Sequence, residues 1–284
     1  MKPSGAKTLR ELLAQPELRV MPCCYDGLSA RLIERAGFPL TFMSGFSVAA
    51  ARLGLPDTGL ISYAEMLDQG RSILEAVTMP VIGDGDTGYG NTANVERTVE
   101  GYARTGFAAI MIEDQVAPKR CGHTQGKEVV GRDEAISRLK AAIRAKDAGA
   151  DILILARTDA RATLGLEEAL WRMEAFEDLG ADILFLEAPT SIAEMETFNR
   201  RVTKPTMANM IQGGRTPVLT APELQSLGFR IAAYPLALIG AAVMAMEEAL
   251  QTLRTGLMPE TQVDFSHLLD VVGFDGYNRR LNKG

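Results

Sequence analysis

Short apolar runs alternate along the chain with longer stretches in which apolar positions follow a helical period. The first pattern predicts β-strands and the second predicts amphipathic helices. Predicted strands end near Cys24, Ser44, Asp84, Glu113, Arg157, Glu187, Asn209 and Tyr234. Predicted helices include Ser62 to Val77, Arg132 to Ala148, Leu166 to Leu179 and Ala237 to Arg254. Repeated strand–helix units of this kind predict a parallel sheet covered by helices.

Two of the predicted strands, Ile152–Leu155 and Ile183–Leu186, are apolar throughout, which is typical of strands buried on both faces. Eight strand–helix units favour an α/β fold, a closed (β/α)8 TIM-type barrel, with an open doubly wound sheet as the alternative. No linker rich in Pro, Gly or Ser divides the sequence, so we expect residues 1–284 to form a single barrel domain.

Residues 259–284 exceed the needs of a barrel and are predicted to form a C-terminal helical extension. An apolar stripe runs along one predicted helix there, at Phe265, Leu268, Leu269 and Val272. This stripe would pack either on the chain's own barrel or on a neighbouring subunit.

Composition narrows the class of protein. Of the 284 residues, 46% are hydrophobic and 23% are charged, which is ordinary for a globular protein in water. A net charge of -6 argues against nucleic acid or an anionic membrane as the partner, although a bound cation could still attract a small anionic substrate. The sequence shows no signal peptide, no apolar run of membrane-spanning length and no disulfide framework, so a cytoplasmic enzyme is expected.

Polar side chains stand at or just after the predicted carboxyl ends of separate strands. They are Ser44, Asp84, Asp86, Glu113, Arg157, Glu187 and Asn209. In a barrel these ends converge on one face, where the active sites of this fold lie. A single Asp or Asn in such a position would be interpreted as a turn or capping residue, but polar residues after so many strands indicate a site.

One glycine-rich loop, Gly83–Gly90, follows a predicted strand and matches the G-x-G-x-x-G pattern of dinucleotide-binding proteins. We reject that interpretation because Asp84 and Asp86 would repel a pyrophosphate. Two carboxylates one residue apart suit a hard cation with oxygen ligands, and Glu113 could supply a third ligand directly or through water. Magnesium, which keeps several waters, is the predicted ion, and a tight turn with solvated aspartates is the alternative.

A second feature is the segment Lys119–His123, with the sequence K-R-C-G-H, in a predicted loop that runs from Glu113 to about Gly131. Loops of this length are often lids over a site. Cys121 lies beside two cations and a histidine, which favour its thiolate and predict acid–base chemistry. Three other residues of these types lack such neighbours and are expected to be structural: Cys23, Cys24 and His267.

Several segments resemble the isocitrate lyase/phosphoenolpyruvate mutase superfamily along nearly the whole chain. They are Ser44–Gly45, Leu53–Gly59, Asp84–Gly90, Ile112–Gln115, Lys119–His123, Ala156–Ala160 and Tyr234–Pro235. The resemblance implies a magnesium-bound 2-oxo acid or enolate, a tetrameric barrel and a C-terminal helix exchanged between neighbouring subunits. The K-R-C-G-H segment resembles the lyase branch, in which this cysteine, here Cys121, is the general acid; the mutases and the phosphonopyruvate hydrolases usually lack it.

Within the lyase branch the chain departs from 2-methylisocitrate lyase. Phe42 stands where those enzymes have a tyrosine, and Leu236–Gly240 is uncharged where they have an arginine for the additional carboxylate. A poorly paired carboxylate is costly in a closed site, so we expect a smaller and more apolar dicarboxylate. The chain thus resembles 2,3-dimethylmalate lyase and the petal-death type of 2-alkylmalate lyase, whose reaction would yield a 2-oxo acid such as pyruvate and a carboxylic acid.

The residue pattern and the resemblance together assign roles. Expected substrate-binding residues are Ser44, Gly45, Phe46, Asp57, Gly122, Arg157, Glu187 and Asn209. Expected catalytic residues are Cys121, Glu113 and His123, and the expected ligands of Mg²⁺, or of Mn²⁺ in its place, are Asp84, Asp86 and Glu113. The alternatives are 2-methylisocitrate lyase, a hydrolase or decarboxylase of oxaloacetate, a phosphoenolpyruvate-type phosphonomutase and a non-catalytic metabolite-binding barrel.

Overall fold

A computed structural model describes residues 4–122 and 126–282 of the protein, and the chain divides into two compact units, Met1–Leu236 and Ala237–Gly284. The strands of the first unit are β1 (Arg19–Cys24), β2 (Thr41–Met43), β3 (Val81–Asp84), β4 (Ala109–Glu113), β5 (Leu153–Thr158), β6 (Ile183–Leu186), β7 (Met207–Asn209) and β8 (Ile231–Tyr234). Each predicted strand end lies within one residue of the observed one.

The eight strands form one parallel sheet that curves round on itself. From β1 to β6 each strand pairs with the next, β7 pairs with β8, and β8 pairs with β1. A parallel bridge between Leu184 of β6 and Thr206, the residue before β7, connects these two strands. The predicted α/β fold, a TIM-type barrel, is therefore confirmed.

Helices follow the strands as the sequence pattern predicts. Those of the first unit are α1 (Gly5–Leu13), α2 (Gly27–Arg35), α3 (Gly45–Val48), α4 (Tyr63–Ala76), α5 (Thr92–Thr105), α6 (Arg132–Asp147), α7 (Ala160–Leu164), α8 (Leu166–Asp178), α9 (Ile192–Arg201) and α10 (Ala221–Ser226), with a π-helical turn at Ala49–Leu53. Helix α4 begins with a capping box, in which Ser62 Oγ accepts from the Glu65 N–H at 3.3 Å and Glu65 Oε2 accepts from the Ser62 N–H at 2.8 Å.

Apolar side chains fill the interior of the barrel. One buried cluster joins strand residues such as Met21, Leu155 and Ile231 to Leu9 of α1. Gly5 at the start of α1 lies against Ala108, immediately before β4. Helix α1 thus covers the amino-terminal end of the barrel, and the opposite end, where the strands finish, is available for polar groups.

The second unit contains α11 (Ala237–Leu253), α12 (Phe265–Val272) and α13 (Phe274–Leu281). Helix α12 coincides with the predicted apolar stripe, and the side chains of Phe265, Leu268 and Val272 are exposed. Both the single domain over 1–284 and the extension over 259–284 stay predictions. In the part of the chain that the structure describes, no helix is long and apolar enough to cross a membrane.

Candidate active site

The polar residues predicted at the strand ends come together at the carboxyl-terminal end of the barrel. A cavity of about 580 Å³, which includes its opening to solvent, lies there. Of the predicted site residues, those that line it are Ser44, Phe46, Asp57, Asp84, Cys121, Gly122, Arg157, Glu187 and Asn209. Gly45, Asp86 and Glu113 are buried without lining it, and His123 lies outside the described residues.

The loop from Asp84 to Asp86 begins where β3 ends and is held by hydrogen bonds from the backbone to the Asp84 carboxylate. Asp84 Oδ1 accepts from the backbone N–H of Asp86 at 3.0 Å, and Oδ2 accepts from that of Gly45 at 3.1 Å. Gly45 can approach this closely because it lacks a Cβ, which would lie 2.5 Å from Asp84 Oδ2. Asp86 has a φ of 47°, in the left-handed region. The backbone thus fixes the two carboxylates as neighbours.

Lys119 offsets part of this acidic cluster. Its buried Nζ lies 2.6 Å from Asp57 Oδ1 and 2.9 Å from Asp86 Oδ1. Burial raises the pKa of Asp86 to about 6, and the nearby Lys119 ammonium only partly opposes that rise. Burial also opposes the charge of Lys119, but Asp86 and other carboxylates raise its pKa well above the ordinary value. The ammonium of Lys119 thus contacts two carboxylates, and its effect on the Cys121 thiol stays a prediction.

Arg157, near the end of β5, is a second buried cation of the cavity wall. Its guanidinium pairs with Asp159 at 2.8 and 3.1 Å, with Glu113 Oε2 at 3.3 Å and with Glu187 Oε2 at 3.2 Å. Burial opposes its charge, but these carboxylates raise the pKa of Arg157 well above its ordinary value. Glu187 Oε2 also accepts a hydrogen bond from Asn209 Nδ2 at 3.4 Å. Arg157 is therefore a fixed cation, oriented before any anion binds.

Glu113 is the last residue of β4, and it contacts Arg157 from a buried position that does not line the cavity. Its side chain is almost wholly buried, and within the described residues its Oε1 has no hydrogen-bond partner. Burial raises the pKa of this carboxyl, and the Arg157 guanidinium only partly opposes the rise. Because a buried carboxylate oxygen without a partner is costly, a cation, a water or a proton at Glu113 Oε1 would be stabilising.

Two cysteines line the cavity, and they differ in environment. Cys121 is half-buried, and the residue after it, Gly122, packs directly on the charged wall, where a Cβ would overlap with Arg157 Nη2 and lie 2.7 Å from Glu187 Oε2. Cys23 is fully buried, and burial raises the pKa of its thiol well above the ordinary value. Of these two thiols, Cys121 is the one suited to exchange a proton with a ligand.

Several buried charges at this end of the barrel were missed from the sequence. They are Asp114, Lys127, Arg138, Asp159 and Arg172. Asp114 accepts hydrogen bonds from Arg172 Nη1 and from the backbone N–H of Asp159, each at 2.9 Å. Charged residues ordinarily lie in solvent, so only their partners in the fold reveal these. Asp114 and Asp159 carried a usable signal, because they stand one residue after Glu113 and two residues after Arg157, at predicted strand ends.

The donor set fits a divalent cation. Within residues 4–122 and 126–282, no group of three or more His, Cys, Asp or Glu side chains is arranged to hold a metal. An ion at Asp84 and Asp86 would therefore take most of its ligands from water and substrate, as Mg²⁺ usually does. Over the same residues, seven acidic side chains are buried against five basic ones. With all of them ionised, the formal excess of two negative charges, together with the partnerless oxygen of Glu113, favours one divalent cation.

Comparison with known sequences identifies the family. Residues 9–254 match the family described as phosphoenolpyruvate phosphomutase. The chain is 42% identical to a 2,3-dimethylmalate lyase of Eubacterium barkeri over 274 residues, which cover 95% of this chain and 94% of the relative. It is 39% identical to a 2-methylisocitrate lyase of Aeropyrum pernix over 279 residues, which cover 96% of this chain and 88% of the relative.

Solved structures agree with the sequence relatives. An oxaloacetate acetylhydrolase in complex with 3,3-difluorooxalacetate matches with a TM-score of 0.95 at 38% identity, over 99% of this chain and 97% of that one. A phosphonopyruvate hydrolase in complex with oxalate and Mg²⁺ matches with a TM-score of 0.86 at 29% identity, over 98% of both chains. The chain therefore belongs to the isocitrate lyase/phosphoenolpyruvate mutase superfamily, and the prediction of an enzyme of its lyase branch is confirmed.

Proposed function

We propose that this superfamily member is a divalent-cation-dependent carbon–carbon lyase acting on a 2-hydroxy dicarboxylate of the 2-alkylmalate or 2,3-dimethylmalate type. Its products are a 2-oxo acid such as pyruvate and a second carboxylic acid. The relatives named 2,3-dimethylmalate lyase and 2-methylisocitrate lyase support this class of reaction. Magnesium is the proposed ion, with manganese as a substitute.

The cavity wall is the observation that carries the choice of a small, partly apolar substrate. Among the described residues three cations line the cavity, Lys119, Arg120 and Arg157, and of these Lys119 and Arg157 pair with carboxylates of the chain. The apolar part of the wall is Phe42, Phe46, Met111, Phe185, Met207, Ile211, Ala233, Pro235 and Leu236. A third substrate carboxylate would lie against such a surface at a cost, whereas an alkyl substituent would be stabilised there.

Asp84 and Asp86 would hold the cation. The nearby Glu113 carboxylate would interact with the ion and with the waters bound to it. When bound, a divalent ion supplies a Lewis acid that makes a 2-hydroxyl group more acidic. The protein's own part is orientation: the N–H groups of Gly45 and Asp86 keep the Asp84 carboxylate in place, and Arg157 offers a fixed guanidinium to a substrate carboxylate.

The reaction breaks the bond between C2 and C3 of the substrate. The hydroxyl proton passes to a base, and the O–H electron pair becomes the second C–O bond of the 2-oxo acid. C3 keeps the electron pair of the broken bond, delocalised into its own carboxylate, until the Cys121 thiol transfers a proton to it. Glu113 is the proposed base, and because it does not line the cavity one water would connect it to the hydroxyl. Glu113 then releases the hydroxyl proton to solvent, and solvent returns a proton to Cys121.

A second candidate, hydrolysis of oxaloacetate to oxalate and acetate, is favoured by the match to oxaloacetate acetylhydrolase. The two reactions share a 2-oxygenated dicarboxylate and the cleavage of one C–C bond. They differ in the attacking group, because hydrolysis requires a water where the lyase needs none. Oxaloacetate also lacks the alkyl substituents that the apolar wall would accommodate.

The deciding experiment is a product assay over four compounds, with and without EDTA. Pyruvate release is followed from 2-methylmalate, 2,3-dimethylmalate and 2-methylisocitrate, and oxalate formation is followed from oxaloacetate. We expect the alkylmalates to be cleaved with a higher kcat/KM than 2-methylisocitrate. Oxalate formation without cleavage of the alkylmalates would contradict the lyase proposal and support the hydrolase. A lack of turnover on all four compounds would contradict both candidate functions.

The exposed apolar side chains of α12 support a further part of the proposal, a homotetramer with C-terminal helices exchanged between subunits. Such an assembly would place the stripe at Phe265, Leu268 and Val272 against another chain. Light scattering at micromolar concentration should therefore give about four times the mass of one chain. A monomer would contradict the assembly and leave the proposed chemistry unaffected.

We further propose that the enzyme works in the cytoplasm on a small dicarboxylate, without nucleic acid or membrane as partner.

A further inference from the structure

Lys127 is a buried cation at the active-site end of the barrel that does not line the cavity. Its Nζ lies 2.8 Å from Asp159 Oδ1, and the two side chains are 3% and 0% exposed. The same Nζ donates a hydrogen bond to the backbone carbonyl of Gly122. Because an ammonium buried to this degree is costly without its partners, these contacts hold Lys127 between Gly122 and Asp159.

Asp159 connects Lys127 to the cavity wall. Its Oδ2 accepts from Arg157 Nε at 2.8 Å, its Oδ1 accepts from Arg157 Nη2 at 3.1 Å, and its backbone N–H donates to Asp114 Oδ1 at 2.9 Å. Burial opposes ionisation, but Arg157 and Lys127 hold the pKa of Asp159 below its ordinary range. Asp159 is thus an ionised bridge between two cations, one in the cavity wall and one behind it.

Gly122 lies on the other side of Lys127, and its position is sharply limited. A Cβ at Gly122 would overlap with Arg157 Nη2, so the backbone is packed against the guanidinium. Its carbonyl oxygen accepts from Lys127 on the opposite side. Cys121 is the preceding residue and lines the cavity, so a shift of Gly122 away from Arg157 would move the Cys121 thiol with it.

We propose that Lys127 and Asp159 are positioning residues of the active site, which set Cys121 over the cavity through Gly122 and couple its position to Arg157. The proposal rests on the proposed function, in which Cys121 delivers a proton to the departing fragment. Neither Lys127 nor Asp159 lines the cavity, so both act through other residues rather than on the substrate. Loss of Lys127 should therefore affect the transition state more than substrate binding.

The first test needs no turnover. The full-length protein is treated with iodoacetamide, and the rate of modification at Cys121 is measured by peptide mass spectrometry. Lys127→Met should raise this rate about tenfold, because losing a charged hydrogen bond releases the Gly122 backbone. Lys127→Arg, which keeps a cation, should stay nearer the wild-type rate. Lys127→Gln, which keeps one donor, replaces the Met variant in the comparison if that variant does not fold.

Lys146 offers a matched control. Its Nζ also contacts an aspartate and a glycine carbonyl, Asp182 Oδ2 at 3.0 Å and Gly180 O at 2.9 Å, but it does so just before β6, at the amino-terminal end of the barrel. Lys146→Met therefore removes the same two kinds of contact away from the cavity. We expect the wild-type rate of Cys121 modification in this variant, even if its unfolding midpoint falls.

The second test separates kcat from KM. Lys127→Met should lower kcat about tenfold to a hundredfold with little change in KM, because Arg157 keeps its bond to Asp159. Asp159→Asn should raise KM as well, because it loosens Arg157. A wild-type rate of Cys121 modification in folded Lys127→Met, or a loss of kcat no larger than in Lys146→Met, overturns the proposal. If modification speeds up as expected but the wild-type protein cleaves none of the four compounds, the proposed function fails and the positioning role stands.

Discussion

Ion pairs at the carboxyl-terminal end of the barrel differ from those on its outer helices. Arg172 of α8, whose side chain is 1% exposed, pairs with Asp114 at 2.9 Å. Arg144 of α6, whose side chain is 58% exposed, pairs with Glu96 at the shorter distance of 2.5 Å. Because solvent and salt screen the exposed pair, losing one of its members should cost less stability, although its contact is shorter. Burial, rather than distance, distinguishes the two regions.

The buried pairs are also connected to one another. Asp114 joins Arg172 to Asp159, and Asp159 in turn joins Arg157 to Lys127. Removing one charge from such a chain leaves its neighbours buried without compensation, which costs more than the lost contact itself. An outer pair can lose either member and leave the other in water. The active-site end should therefore respond to single substitutions far more strongly than the outer surface.

Removal of the cation should give the largest effect. If Asp84 and Asp86 hold it, EDTA should abolish turnover, and added magnesium or manganese should restore it. Asp86→Asn should also abolish turnover and weaken Mn²⁺ binding in calorimetry. The control is Asp151→Asn, which removes an exposed pair with Arg10 and should change neither quantity. Full activity in the presence of EDTA would contradict the proposed metal site.

Arg172→Met should have the next largest effect, on stability. The substitution leaves Asp114 buried without its counter-charge, so the free energy of unfolding should fall by about 3–5 kcal/mol. Urea denaturation of the wild-type and variant proteins measures this change in the free energy of unfolding. A loss below about 1 kcal/mol, the range of an exposed pair, would remove the difference between the two regions.

Cys121→Ser tests the thiol rather than the charges around it. Because the proton it delivers matters in the transition state, kcat should fall about a hundredfold while KM changes little. Oxalate, a mimic of the pyruvate enolate, should still bind in calorimetry because Asp84 and Arg157 are intact. Cys24→Ala, at a buried cysteine outside the cavity wall, should keep the wild-type kcat. Normal turnover of the Ser variant would make Cys121 a packing residue and favour the hydrolase or decarboxylase.

The smallest effect is expected on the outer surface. Arg144→Ala breaks the pair with Glu96 and should lower the free energy of unfolding by about 1 kcal/mol or less. That difference should shrink further at high salt, because the charges are exposed to solvent. Urea denaturation at low and high ionic strength measures both. A loss as large as that of Arg172→Met would show that the outer pairs are not screened.

The fold was predictable because the sequence pattern indicates where the strands end. An apolar run such as β4 is buried on both faces, and the first polar side chain, Glu113, marks where it reaches the open end of the barrel. The short helix α7 and the π-helical turn at Ala49–Leu53 were not predicted, because neither is long enough to display a period.

The candidate site was predictable only as far as its residues adjoin strand ends. Asp84, Arg157 and Asn209 satisfy that condition, and the structure brings them to one cavity. Arg172 does not, because it lies within α8 between Trp171 and Met173 and reads as one more charged residue of a helix. Its burial depends on Asp114, which follows β4 far away in sequence, and pairings of this kind leave no local pattern.

The single bridge between Leu184 and Thr206 makes the barrel unequal around its circumference. Over the described residues, the other neighbouring strands share at least two registered pairs, whereas β6 and the residue before β7 share this one bridge. Pro205, whose carbonyl accepts from Leu184 at 2.9 Å, has no N–H to donate in return. Near the cavity this weakly paired seam between β6 and β7 is spanned by the side-chain hydrogen bond from Asn209 to Glu187. A bulkier substituent pressing on the cavity wall would meet least resistance here, so the seam is where the cavity can widen at the smallest cost to the rest of the barrel.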